Sequence, residues 1–325
     1  MILAHRSLQR LAKYQPLSLG LLFLLAAGCT DDDRLGPSGV DPTSEPAADE
    51  LTLEEADPVP TLASATARGF TFGSFDLETH HLGSMHNATL RSPGPSQIVS
   101  LLRQIRAKGG RVIIALADPE DYKSGGRFSL SKWKAQVAKF RRVNFKSYID
   151  DGTIIGHYMI DEPDDPGNWR GSRVSPSTLE EMAKFSKSIW PKMPTIVRVE
   201  PGYLKGARHV DAAWAQYSAR RGDARTWIRS QASKARGRGV ALVVSLNTQD
   251  GGNGSSGRRG YSRGKHAMSA AELKKYGSAL IGESHACAFF MWKYVSSYYN
   301  RSDIKSAMTA LSRQAKSRSR KSCNG

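Results

Sequence analysis

Seven short apolar runs, rich in β-branched and aromatic residues, recur along this chain with helical periodicity between them, and that alternation constrains its fold more than any other feature. The runs occupy 70–75, 111–116, 154–160, 195–199, 210–216, 241–246 and 288–293. The spacing predicts helices over 96–107, 131–150, 177–188, 223–236, 269–280 and 302–317. Two of these open on a capping-box pattern, Ser177-Thr-Leu-Glu180 and Ser269-Ala-Ala-Glu272, and glycine or proline closes others. Successive βα units require a parallel sheet covered by helices, either doubly wound or closed on itself.

Two observations favour closure. Beyond residue 60 the chain has 265 residues, the size of one (β/α) barrel. Polar residues also gather after nearly every apolar run, as they do where loops ring one mouth, whereas a doubly wound sheet concentrates them at one crevice. No Gly-x-Gly-x-x-Gly follows the first run, which speaks against a dinucleotide site. The expected fold is therefore α/β, a (β/α)8-type TIM barrel, with its eighth strand either missing or irregular within 76–95.

The first sixty residues read differently. Arg6, Arg10 and Lys13 precede an apolar run from Leu17 to Ala27 that is too short to span a bilayer, the layout of an export leader. The run closes on Leu25-Ala-Ala-Gly-Cys29, which resembles a bacterial lipobox, and the resemblance implies acylation of Cys29 after cleavage. Residues 30–60 are rich in Asp, Glu, Pro, Ser and Ala without apolar periodicity, the composition of a tether. The expected organisation is a lipoprotein signal peptide over 1–29, an acidic disordered tether over 30–60 and the barrel over 61–325. The expected location is outside the cytoplasm, lipid-anchored to the cell envelope on its periplasmic or surface face.

Net charge is +17, but residues 1–60 hold ten acids and four bases, so the remainder carries +23. Such a domain is drawn to polyanions, acidic polysaccharide or an anionic envelope surface among them. Nucleic acid is not the expected partner, and the chain is read as a monomer. Besides Cys29 there are two cysteines, Cys287 and Cys323. Export permits a disulfide between them, and their spacing matches no metal site. No cofactor or metal is expected.

The most specific local feature is Gly156-His-Tyr-Met-Ile-Asp-Glu-Pro163, an apolar run ending in two carboxyl groups and a proline that stops it. It resembles the strand end of glycoside-hydrolase barrels, above all the clan with Asn-Glu-Pro, although Asp161 stands where that clan has Asn. The resemblance implies that Glu162 is the acid or acid/base protonating a glycosidic oxygen. Hydrolysis by that route needs a second carboxylate across the scissile bond. Side-chain alternation turns Val197 and Val199 toward the helices and leaves Arg198 and Glu200 facing inward, which makes Glu200 the expected nucleophile or base. An inward Arg198 requires a carboxylate partner. The clan carries its nucleophilic Glu near the penultimate strand, where this chain has none, so Asp250 and Asp118 remain alternatives for the second role.

The same parity turns Ser245 and Asn247 inward and groups Ser74 with Asp76. The residues expected to bind substrate are Asp76, Asp118, Asp161, Arg198, Gln216, Tyr217, Asn247, Asp250 and Trp292. Trp292 resembles the sugar-stacking tryptophan of many glycosidases, although a core aromatic would look the same. The glycine-rich stretch 248–266, with Arg258, Arg259, Arg263 and Lys265, is either a binding edge for carboxylated or sulfated sugar or a solvated excursion. The functional expectation is a two-carboxylate glycoside hydrolase acting on a polysaccharide, an acidic one among the candidates. Two alternatives stand beside it: a non-catalytic carbohydrate- or envelope-binding barrel, and a metal-dependent phosphodiesterase built on His80, His81 and His86.

Overall fold

The structure is a computed structural model and describes residues 69–325 apart from position 84. The export leader, Cys29 and the tether lie outside the described residues. Eight parallel strands close into a barrel. Numbered in chain order, the barrel strands are β1 (Thr71–Phe75), β2 (Ala88–Arg91), β3 (Arg111–Ala115), β4 (Ile154–Asp161), β5 (Thr195–Arg198), β6 (Ala212–Tyr217), β7 (Ala241–Asn247) and β8 (Ala286–Trp292). Closure is made by β1 on β8, with Thr71 opposite Ala288 and Ser74 opposite Met291.

The eighth strand sought within 76–95 is β2. It is short, and it is anchored by side chains as well as by its ladder: Asn87 accepts from the Phe72 amide at 2.7 Å, and the Thr89 hydroxyl donates to the Leu77 carbonyl at 2.7 Å. Helices follow most strands. The connections from β1 to β2 and from β5 to β6 carry short 3-10 turns, Thr79–His81 and Pro201–Tyr203.

Two local expectations are corrected. The helix expected over 131–150 is two, Leu130–Ala138 and Lys146–Asp150, because Asn144 takes the Lys146 amide at 3.0 Å and restarts the turn. Ser177 is not a cap: the helix Pro176–Ile189 is capped two residues earlier, by Ser175, with proline at its first position. Glu180 is thereby freed to accept the backbone amides of Arg208 and His209. The capping box at Ser269 and Glu272 is present with both of its bonds.

The core has two parts. Alternate strand residues such as Val112, Ile114, Val197, Val244 and Leu246 pack outward on the helices. Phe75, Ile113, Ile196, Trp214, Val243 and Phe290 fill the barrel interior. Trp214 is the centre of this inner plug, with ring centroids 4.9 Å from both Phe75 and Phe290 and 5.5 Å from Tyr158. Gly156 makes room for the plug, since a Cβ there would collide with the Ile196 side chain. At the other end of the interior, Cys287 and Cys323 form a disulfide with Cα atoms 5.3 Å apart, tying the C-terminal tail to the start of β8.

Candidate active site

The C-terminal ends of β4 to β8 surround a cavity of about 270 Å³. Each side chain on it is placed by parity and by what stops its strand. Tyr158 and Asp161 both turn inward because β4 shifts register between Tyr158 and Ile160, and the tyrosine hydroxyl donates to Asp161 at 2.8 Å. Glu162 follows in a left-handed backbone conformation (φ 41°), which carboxylate side chains adopt uncommonly and which swings its carboxylate out over the mouth. Pro163 ends the run, and the Trp169 indole N–H holds the Glu162 carbonyl at 3.0 Å.

Arg198 on the neighbouring strand organises these groups. It is buried, with both terminal nitrogens engaged: Nη1 bonds Asp161, while Nη2 donates to Glu162 Oε1 at 3.0 Å and to Gln216 Oε1 at 2.6 Å. The sequence requirement that an inward arginine find a carboxylate is met twice. Burial pushes the Asp161 carboxyl up, Arg198 pulls it down, and Glu162 pushes it up again, leaving it above the usual carboxylate range. The same two carboxylates hold Arg198 firmly protonated despite its burial.

Glu200 lines the same cavity. Its carboxylate lies 2.7 Å from Arg221 and 3.9 Å from Lys234, and it accepts from Gln231 at 3.3 Å. The last two belong to the helix Ala224–Arg238, so Glu200 stands between the barrel mouth and its helical wall.

The other expected site residues divide. Arg198, Gln216, Asn247, Asp250 and Trp292 line the cavity. Asp250 is bonded to the Ser262 amide at 2.9 Å and hydroxyl at 2.6 Å, which folds the glycine-rich loop back on β7. Trp292 forms one wall and meets the exposed Tyr261 edge to face, centroids 5.8 Å apart.

Four expected residues are not on the cavity. Tyr217 points into the helix layer against Trp227 and Tyr276, since it lies one position from the inward Gln216. Asp161 is buried beneath the mouth by Arg198 and Tyr158. Asp118 accepts the Glu120 amide at 2.9 Å in the loop after β3. Asp76 sits at the end of β1 with φ 57°.

Sequence reasoning missed Asp164, Asp165, Arg220 and Arg221, all on the cavity. The first two directly follow the Asp-Glu-Pro run, and that adjacency was the available signal. Burial raises the Asp164 carboxyl; a backbone hydrogen bond opposes this, and the charges of Glu162, Asp165 and Glu200 reinforce it. Of the four bases in the glycine-rich loop, Lys265 reaches the cavity.

The floor presents donors without protein acceptors. Trp214 Nε1 and Gln216 Nε2 are both buried and unpartnered. Among the described residues no group of three or more His, Cys, Asp or Glu is arranged to hold a metal ion. His81 stacks on Tyr294, centroids 4.6 Å apart, and His86 is buried between Phe72 and Tyr299.

No family model matches the chain, and no curated protein matches it. Solved structures do. A glycoside hydrolase family 5 mannosidase from Rhizomucor miehei aligns over 71% of this chain and 84% of its own, at 10% identity and a TM-score of 0.50. A family 113 β-1,4-mannanase aligns over 77% of this chain and 99% of its own, at 10% identity and a TM-score of 0.51. At such identities the likeness is one of fold, the closed (β/α)8 barrel that this chain shares with them.

Proposed function

We propose that the protein is a glycoside hydrolase acting on a polysaccharide, held at the cell envelope through a lipid on Cys29. The observation that supports this most directly is the meeting of Glu162 and Glu200 on one cavity at the C-terminal mouth, above donors that have no protein acceptor. Sugar hydroxyls are acceptors of the kind such a floor lacks, and Trp292 offers a ring face beside it.

Hydrolysis needs one carboxyl that gives a proton and one carboxylate that attacks carbon or activates water. Asp161 and Glu162 share the single guanidinium of Arg198. Glu162 is the member of the two that reaches the cavity, and in its protonated form it gives its proton to the glycosidic oxygen. Glu200, oriented by Arg221, supplies the second carboxylate. When the leaving group departs with the proton, the anomeric carbon bonds to Glu200 or to the water it activates.

The test is release of reducing ends from a panel of neutral and acidic polysaccharides, with and without a chelator. Glu162→Gln and Glu200→Gln are each expected to lower kcat by roughly 10² to 10⁴-fold with the chelator having no effect. Activity lost on chelation would move the chemistry to the histidines. Binding without release across the panel would mark a non-catalytic barrel.

A further inference from the structure

The charged side chains on the cavity fall into two groups. Most are committed within the protein: Arg198 to Asp161 and Glu162, Arg221 to Glu200, and Asp250 to Ser262. Asp165 accepts the Gly167 amide at 2.8 Å and caps the turn that follows. Arg220 and Lys265 are different. Both line the cavity, and neither side chain has a hydrogen-bond or ion-pair partner among the described residues. Arg220 comes from the short turn Ala219–Arg221 after β6, and Lys265 from the glycine-rich loop after β7. They stand two and three strands round the barrel from the carboxyl groups that follow β4.

The carboxyl groups on the cavity, Asp164 among them, form no ion pair with either cation, so a neutral ligand would leave Arg220 and Lys265 without a charged partner. An anion on the ligand would answer both, through charge-assisted hydrogen bonds that are stronger than neutral ones, with the guanidinium fork suited to a planar or tetrahedral oxyanion. The +23 charge carried beyond residue 60 draws such ligands toward the domain. We propose that the cavity takes a sugar residue bearing an anionic substituent, a carboxylate or a sulfate ester, whose charge is held by Arg220 and Lys265 while its glycosidic bond lies toward Glu162. The inference rests on the carbohydrate reading above and specifies its substrate class.

The experiment is calorimetric titration of the full chain carrying Glu162→Gln, which keeps the ligand intact. The probes are uronic-acid trisaccharides of galacto, gluco and manno configuration, each beside its carboxyl-reduced neutral counterpart and a 6-O-sulfated counterpart. At least one anionic ligand should bind tenfold or more tighter than its neutral counterpart. Arg220→Gln and Lys265→Gln should each weaken that ligand about tenfold, leave the neutral one unchanged and reduce the salt dependence. Neither substitution breaks a side-chain hydrogen bond or ion pair among the described residues, and a urea titration of each variant confirms that the fold is kept. The better of the carboxylated and sulfated arms identifies the substituent. Equal binding of neutral and anionic ligands, or affinity indifferent to both substitutions, overturns this inference and leaves the carbohydrate reading standing. Binding of no sugar in the set brings down both.

Discussion

Arg198 donates to Glu162 across 3.0 Å from the same guanidinium that neutralises the buried Asp161, so one cation on β5 fixes both carboxyl groups at the end of β4. Removing that cation leaves Asp161 buried and uncompensated. Arg198→Met is expected to destabilise the fold by about 3–5 kcal/mol in urea titration. The double variant with Asp161→Asn should lose less than the sum of the single changes, by roughly 1–3 kcal/mol. Strict additivity would show that the pair is not coupled.

Two buried histidines make the fold sensitive to acid. His86 and His157 are both lowered from 6.5 to about 3, chiefly by burial. Between those values the unfolded chain takes up a proton that the folded chain refuses. Their stabilisation is therefore complete above the unfolded value and is lost as pH falls below it. Each contributes a slope of up to about 1.4 kcal/mol per pH unit. His157→Gln should remove one such slope between pH 6 and pH 4, read from urea midpoints across that range. An unchanged slope would mean His157 is protonated in the folded protein.

Glu272 ties the glycine-rich loop to a helix. It completes the cap with Ser269 and also accepts from the Asn253 amide at 2.7 Å and the Ser255 hydroxyl at 3.2 Å. Ser269→Ala should cost about 1 kcal/mol. Glu272→Ala should cost more, roughly 1–3 kcal/mol for the orphaned donors. Hydrogen exchange should show the Asn253 amide losing protection in the second variant and keeping it in the first.

The disulfide between Cys287 and Cys323 closes a segment of 36 residues. Chain entropy assigns such a closure about 4 kcal/mol. Reduction, or Cys323→Ser, should lower the Tm accordingly, whereas a shift below a degree would show that the tail docks equally well unlinked.

Much of this was legible in advance because strands and helices write periodic patterns. Val197, Arg198 and Val199 alternate as a barrel strand must, and that parity alone placed Arg198 inside and Glu200 at the rim. β2 was harder to read because four residues carry too little pattern, and Asn87 and Thr89 do part of the work of a longer ladder. Tyr217 was misplaced by treating adjacent residues of one strand as neighbours on one face. Asp164, Arg220 and Arg221 lie in loops, where neither period applies and only the closed barrel brings distant segments together. Cys29 and the tether lie outside the described residues.

The missing side chain at Gly156 has an evolutionary corollary. That position and Ile196, on the adjacent strand, compete for one volume inside the barrel. Gly156→Ala should cost roughly 1–3 kcal/mol by overpacking, and Ile196→Val in the same chain should recover part of it. Across the lineage of this protein the two positions should therefore covary, with a side chain at 156 appearing only where 196 has become smaller, and homologues sorted by that pair would reveal which branches have repacked the barrel beneath the mouth.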